Sequence, residues 1–473
     1  MRLSQTWLRL RWAILLGFVT GLSACRSGVA QSPRLEPLPQ DPLIHAYFNY
    51  SQAAAYLNPY REQERLGDDL EQAIIDAIAT AQSSIDVAVQ ELRLPRVAEA
   101  LKERHQAGVR VRVVLENNYS RPWSSFTPQE ISQLDERGRS KYLDFVMLAD
   151  GDRNGQISPD EINHSDALVI LQNAGIPWLD DTADGSKGSD LMHHKFIVVD
   201  RRIVVVGSAN YTLSGIHGDL LRPDSRGNVN HVLKIDSVEV ARLFSDEFNL
   251  LWGDGPGGAL DSKFGLQKPY RPPQRVALTP TSSITIQFSP TSASLPWNQS
   301  VNGLIGETLG RATRSIDLAL FVFSDQNLAN ILQTRHQQGL QIRALIDPGF
   351  AYRNYSEALD MLGIALKDNR CRYEEENSPW LNPLSTVGVP QLAEGDVLHH
   401  KFGVIDEQIV ITGSQNWSEA ANRSNDEDLL VIQNSTVAAH FEREFDRLYP
   451  TARIGISTNL QEKLHHQQTR CPA

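Results

Sequence analysis

Short β-branched apolar runs alternate along this chain with longer stretches in which apolar residues recur at helical spacing. Ser84-Ile85-Asp86-Val87-Ala88-Val89 reads as a strand, the segment closing on Arg104-His105-Gln106-Ala107-Gly108 as a helix stopped by glycine, and Val109-Arg110-Val111-Arg112 as the next strand. The same order returns as Ser315-Ile316-Asp317-Leu318-Ala319-Leu320, then Arg335-His336-Gln337-Gln338-Gly339 and Leu340-Gln341-Ile342-Arg343, offset by 231 positions in both segments. Ile44 to Ser51 and Ile284 to Pro290 read as matching first strands. A twofold repeat of this kind predicts an α/β chain of two similar lobes, each a mixed β-sheet flanked by helices. Gly253 to Ser283 is rich in Gly and Pro without apolar periodicity, so the lobes are placed at 43–252 and 284–453, with a linker at 253–283 and a tail at 454–473.

The repeat is not uniform. Downstream matches centred on His193 and His399 are 206 apart rather than 231, so lobe one holds 25 more residues before its histidine. The insert contains Asp150-Gly151-Asp152-Arg153-Asn154-Gly155-Gln156-Ile157-Ser158-Pro159-Asp160-Glu161, which fits the twelve-residue EF-hand loop at each diagnostic position. Asp150, Asp152, Asn154, the Gln156 carbonyl, Ser158 and Glu161 are the expected calcium ligands, and Gly155 the sharp turn. The flanks 129–148 and 159–175 are expected to be helical. Calcium is assigned a structural or regulatory role, not a catalytic one.

The formal charge is −12. Nucleic-acid binders are more often basic, so the balance weighs against a polynucleotide as main substrate without excluding a local basic cleft. Arg2, Arg9 and Arg11 precede an apolar run, Trp12 to Ala24, that is too short to span a bilayer as a mature helix. Residues 1–24 read as a signal peptide. Leu22-Ser23-Ala24-Cys25 resembles a bacterial lipobox, which predicts export, acylation of Cys25 and a flexible tether over 25–42 at a membrane surface; an ordinary signal peptide is the alternative. The remaining cysteines, Cys371 and Cys471, are even in number, and an exported protein can pair them.

The chemistry sits in a doubled motif. Lobe one reads His193-His194-Lys195-Phe196-Ile197-Val198-Val199-Asp200, then Gly207-Ser208-Ala209-Asn210; lobe two reads His399-His400-Lys401-Phe402-Gly403-Val404-Ile405-Asp406, then Gly413-Ser414-Gln415-Asn416. On a strand, His-x-Lys puts both side chains on one face, with His194 and His400 on the other. A hairpin turned at Asp200-Arg201-Arg202 brings Ser208 and Asn210 back to the same mouth. Each lobe then offers an imidazole, an ammonium, a hydroxyl and an amide to a phosphoryl group whose oxygens gain charge in the transition state. The pattern resembles the phospholipase D superfamily over nearly all of both lobes. The resemblance implies one active site between the packed lobes, a phosphohistidine intermediate and no catalytic metal. It also implies a structural role for Asp200 and Asp406, which still belong with the candidate site residues.

The lobes differ at one informative place. Glu427 follows the second motif where the superfamily often has an acid, whereas lobe one has Asn230. Pairing each with its own lobe's histidine makes His399, backed by Glu427, a protonated general acid and His193, beside Asn230, a neutral nucleophile. Lobe one is also longer around Gly215 to Arg226, which makes Arg222 and Arg226 candidate headgroup contacts. The leading reading is a monomeric, lipid-anchored hydrolase that splits phospholipid into phosphatidate and alcohol. An endonuclease of the same superfamily is the alternative. A phosphatidyltransferase and a calcium-dependent surface binder with a relict site are further readings.

Overall fold

The structure is a computed structural model describing residues 34–186 and 190–471. The signal segment and Cys25 lie outside the described residues. Pro37 onward forms one compact unit.

Lobe one builds a seven-stranded sheet. In chain order its strands are β1 (Ile44–Phe48), β4 (Ser84–Val89), β5 (Arg110–Leu115), β6 (Trp178–Asp180), β7 (Lys195–Val199), β8 (Ile203–Gly207) and β9 (His231–Asp236). The hairpin β2 (Ala55–Asn58) and β3 (Gln63–Leu66) stands apart. The order is β1-β9-β8-β7-β4-β5-β6, with β4, β5 and β6 parallel and the rest antiparallel. Lobe two repeats this with β10 (Gln274–Thr279), β11 (Ser282–Phe288), β12 (Ser315–Leu320), β14 (Gln341–Ile346), β15 (Val387–Val389), β16 (Lys401–Ile405), β17 (Ile409–Gly413), β19 (Asp428–Gln433) and β20 (Arg453–Ile454). They run in the order β10-β11-β19-β17-β16-β12-β14-β15-β20. A two-residue pair, β13 (Phe323–Ser324) and β18 (Trp417–Ser418), lies outside it. Both sheets are mixed and flanked by helices, as the repeat predicts.

The repeated residues have visible work. Parallel register sets Asp86 beside Arg112 and Asp317 beside Arg343, and each arginine grips its carboxylate with two hydrogen bonds of 2.7–2.9 Å. The crossover helices Pro95–Gln106 and Gln326–Gln337 end at Gly108 (φ 91°) and Gly339 (φ 90°), the left-handed conformation that glycine adopts at least cost.

The lobes share a core. Phe48 packs edge-on against Phe441, and Phe244 against Phe288, within one apolar cluster that also takes in Phe196 and Phe402. The lobe boundaries need two corrections. β10 and the start of β11 fall inside the predicted linker, so irregular chain spans only about 253–273. The predicted tail is structured: β20 closes the sheet edge, the helix Thr458–Arg470 follows, and Cys471 is disulfide-bonded to Cys371. The insert forms helices Pro128–Gln133, Glu136–Ala149 and Pro159–Ser165 around the 150–161 loop, broken at Leu134–Asp135.

Candidate active site

The two motifs meet across the lobe interface. Met192 bridges Asp426, and Leu398 bridges Val229, so the residue before each motif pairs with the other lobe. The His193 amide donates to Asp426 O (2.9 Å) and the His399 amide to Val229 O (3.1 Å). His193 and His399 line one cleft of about 740 Å³, with Gln90, Asn210 and Asn416. Its walls are aromatic: Tyr119, Trp123 and Phe126 from lobe one, Phe321, Phe350 and Tyr355 from lobe two. Sequence reasoning missed these walls, because no spacing rule ties loop aromatics to a motif elsewhere in the chain.

The crossing overturns one expectation. Glu427 does not serve His399. Its Oε2 lies 2.6 Å from His193 Nδ1, while His399 Nδ1 lies 3.0 Å from Asn230 Oδ1. Each histidine is held by the other lobe, because the residue leading into each motif bridges the partner lobe beside its acid position, Met192 at Asp426 and Leu398 at Val229. Asn230 Nδ2 donates to Gly215 O and Ser208 Oγ donates to Asn230 Oδ1, which fixes the amide orientation. The Asn230 oxygen therefore accepts from His399 Nδ1–H, and His399 Nε2 is the atom left for the cleft.

Both histidines are driven well below the ordinary imidazole value, chiefly by burial and then by Lys195 and Lys401. Burial raises Glu427 to about 7, against the pull of the lysines. Burial lowers Lys195 to about 8 and holds Lys401 well below its usual range. Lys195 Nζ donates to His193 O (2.7 Å) and Lys401 Nζ to His399 O (2.8 Å). His194 and His400 point away into a second buried layer. His194 bridges Asp428 and Glu247, while His400 meets Glu444 and, Nδ1 to Nδ1 at 3.0 Å, His231.

Two further candidates stand elsewhere than expected. Ser208 and Ser414 are fully buried and do not line the cleft; Ser208 holds Asn230, and Ser414 bonds the Glu427 carboxyl and accepts from Asp428 N. They follow the ends of β8 and β17, so strand alternation no longer aims them. Asn210 and Asn416 do reach the cleft, each with its Oδ1 unpartnered among the described residues. Asp200 and Asp406 sit at the far ends of the hairpins. Asp200 is seven residues past His193, about 20 Å along a strand. It accepts from the Gln82, Ser83 and Ser84 amides, and Asp406 from those of Thr313, Arg314 and Ser315. They tie helix ends to the sheet and take no part in the cleft.

Arg226 is likewise structural: its guanidinium lies 4.7 Å from the Tyr50 ring centroid and donates to Leu66 O. Arg222 pairs with Asp219 in a side groove. In the 150–161 loop, carboxylate oxygens of Asp150, Asp152 and Glu161 lie within 4.8 Å of one another. Asp150 accepts from the Asn154 and Gly155 amides, Asn154 Oδ1 from the Gln156 amide, and Ser158 caps the following helix in a box with Glu161.

The family profile described as cardiolipin synthase, PLD-like domain, matches residues 74–252 and 305–449. Similar proteins include the mitochondrial cardiolipin hydrolase of Canis lupus familiaris, 27% identical over 201 residues (39% of this chain, 70% of that protein). The Homo sapiens protein of that name is 28% identical over 157 residues (33% and 53%). The chain thus spans between about half and 70% of these relatives' length. Among solved structures, phosphatidylserine synthase of Haemophilus influenzae Rd KW20 shares the fold at 12% identity and TM-score 0.53, covering 92% of this chain and 94% of that one.

Proposed function

The chain belongs to the PLD-like domain family of the cardiolipin synthase type, and from that premise we propose that it hydrolyses phospholipids to phosphatidate and alcohol. The observation that carries the reading is one cleft faced by two imidazoles with unlike backing, a carboxylate behind His193 and an amide behind His399. His193 Nε2 attacks phosphorus, and Glu427 steadies the positive charge that grows on the ring. The phosphorus–oxygen bond to the alcohol breaks as His399 Nε2 gives that oxygen its proton. The substrate's own negative charge supports the protonated state of His399. Water then loses a proton to His399, attacks phosphorus and releases His193 with phosphatidate. The roles match those read from the sequence, with the backing partners exchanged. Lys195, Lys401, Asn210 and Asn416 are the donors for the phosphoryl oxygens.

The acidic overall charge supports lipid over nucleic acid, as do the names of the cardiolipin hydrolase relatives. We further propose that the protein is exported and lipid-anchored through Cys25, and that the 150–161 loop holds calcium. Asp150, Asp152, Asn154, the Gln156 carbonyl, Ser158 and Glu161 supply hard oxygen donors of the right kind, and the ion would brace the inserted helices rather than enter the reaction. The deciding assay incubates the protein with phospholipid vesicles and with single-stranded DNA, with and without calcium. Phosphatidate release supports the reading, and cleavage of DNA alone sinks it.

A further inference from the structure

Lobe two carries a second groove that the catalytic reading does not use. Arg353, Lys367, Arg370, Arg372, Lys463 and Arg470 line a hollow of about 600 Å³, and Asp368 is the one acid among its lining residues. Six cations against one acid leave a local excess of five positive charges, on a chain whose formal charge is −12. Asp368 is already spent on the Arg370 and Arg372 amides and the Arg372 guanidinium. Glu374, close by in sequence, faces Glu357 and Asp360 instead.

The groove is built rather than incidental. One wall is the loop 366–372 and the other the helix Thr458–Arg470. The Cys371–Cys471 disulfide ties them, Lys367 N donates to Gln467 Oε1 (2.7 Å), Lys463 Nζ to Tyr352 O (3.1 Å) and Arg470 to Asp368 O (3.0 Å). Holding like charges together costs free energy that a polyanion repays. Burial and then the Arg353 charge lower Lys463.

Its position gives the rest. Phe350 and Tyr355 line the catalytic cleft, while Tyr352, Arg353 and Asn354 between them line the groove. One short turn therefore separates the two openings. Tyr352 is the one Phe, Tyr or Trp among the groove's lining residues, and at 8% exposure it offers little ring for stacking bases. We propose that this groove docks the phosphate headgroups of an anionic phospholipid surface and so presents the neighbouring cleft to that surface, an inference resting on the phospholipid reading of the cleft.

The test uses the full chain carrying Cys25→Ser, so that no acyl group contributes, and measures co-sedimentation with phosphatidylcholine vesicles made with and without phosphatidylglycerol. Binding should require phosphatidylglycerol and weaken with salt. Lys367→Gln with Arg370→Gln removes two charges without touching the bonds that hold the tail helix, and should weaken partition about 30-fold. Arg201→Gln with Arg202→Gln, an equal loss of charge on the lobe-one hairpin, should not reproduce this. Partition indifferent to phosphatidylglycerol, or equal in parent and groove variant, overturns the proposal. So does abolition of binding by millimolar inorganic phosphate, which marks a small-anion site. Groove-dependent binding to an oligonucleotide tighter than to vesicles also overturns it. Turnover of a monomeric short-chain phospholipid reads the cleft separately. Its absence, with groove-dependent partition intact, removes the enzymatic reading and leaves the docking surface.

Discussion

Glu427→Gln tests the crossed relay most directly. The amide is nearly the size of the carboxyl and can still accept from His193 Nδ1–H, so the change removes charge and leaves shape. Nδ1 and Oε2 are 2.6 Å apart in a fully buried setting. Their charge centres lie about 4 Å apart, where a full imidazolium–carboxylate attraction is worth about 4 kcal/mol at an effective dielectric of 20. If half to all of the imidazolium charge has formed when Nε2 reaches phosphorus, the loss is about 2–4 kcal/mol, or about 30- to 1000-fold in kcat. The pH profile sharpens the test. His193 and Glu427 titrate as a pair, and attack needs the pair without its extra proton, so the acid limb should rise as pH passes about 7. Without the carboxylate, burial and the two lysines keep the lone imidazole deprotonated to lower pH. The limb should therefore move down while the plateau falls. Stopped-flow turnover across pH, with quenched samples assayed for phosphohistidine, reads both. A loss below about threefold, or an acid limb that stays put, refutes the relay.

Three further outcomes are expected. Asp200→Ala should lower stability by about 1–2 kcal/mol through lost hydrogen bonds to backbone amides, with kcat retained. The Asp200 carboxyl is held below its usual range, so this contribution is present above about pH 4 and lost as pH falls below it; thermal melts across pH check it. Calcium should raise the melting temperature of the parent and not of Glu161→Gln, read by scanning calorimetry with and without chelator. Cys371→Ser should cost about 2–5 kcal/mol, seen as a lower urea midpoint, because the bridge closes a separation of 100 residues.

What the chain disclosed depended on whether the signal was local. His-x-Lys runs into strands that begin at Lys195 and Lys401, and alternation is short-range, so the two pairs and the outward turn of His194 and His400 were legible. The strand–helix–strand run repeated at an offset of 231 marked the strand pairs β4/β5 and β12/β14. The helices beside the 150–161 loop followed from its match to the EF-hand pattern, a loop held between two helices. The service of His193 by Glu427 was not legible, because those residues are 234 apart and meet only when the lobes dock. β10 escaped because only Val276 and Leu278 face inward, too short an alternation to stand out behind Pro272-Pro273.

The crossed pairing of histidines also bears on ancestry and design. Two identical single lobes docked about a twofold axis would place one lobe's histidine beside the other's acid position, with the same residue on both sides by necessity. Joining the lobes in one polypeptide lifts that constraint. Asn230 and Glu427 can then drift apart, and a chemically polar reaction centre arises from a geometrically symmetric one. A pair of separately expressed copies of lobe one, each bearing Asn230, could reproduce the cleft's outline but not its division of labour.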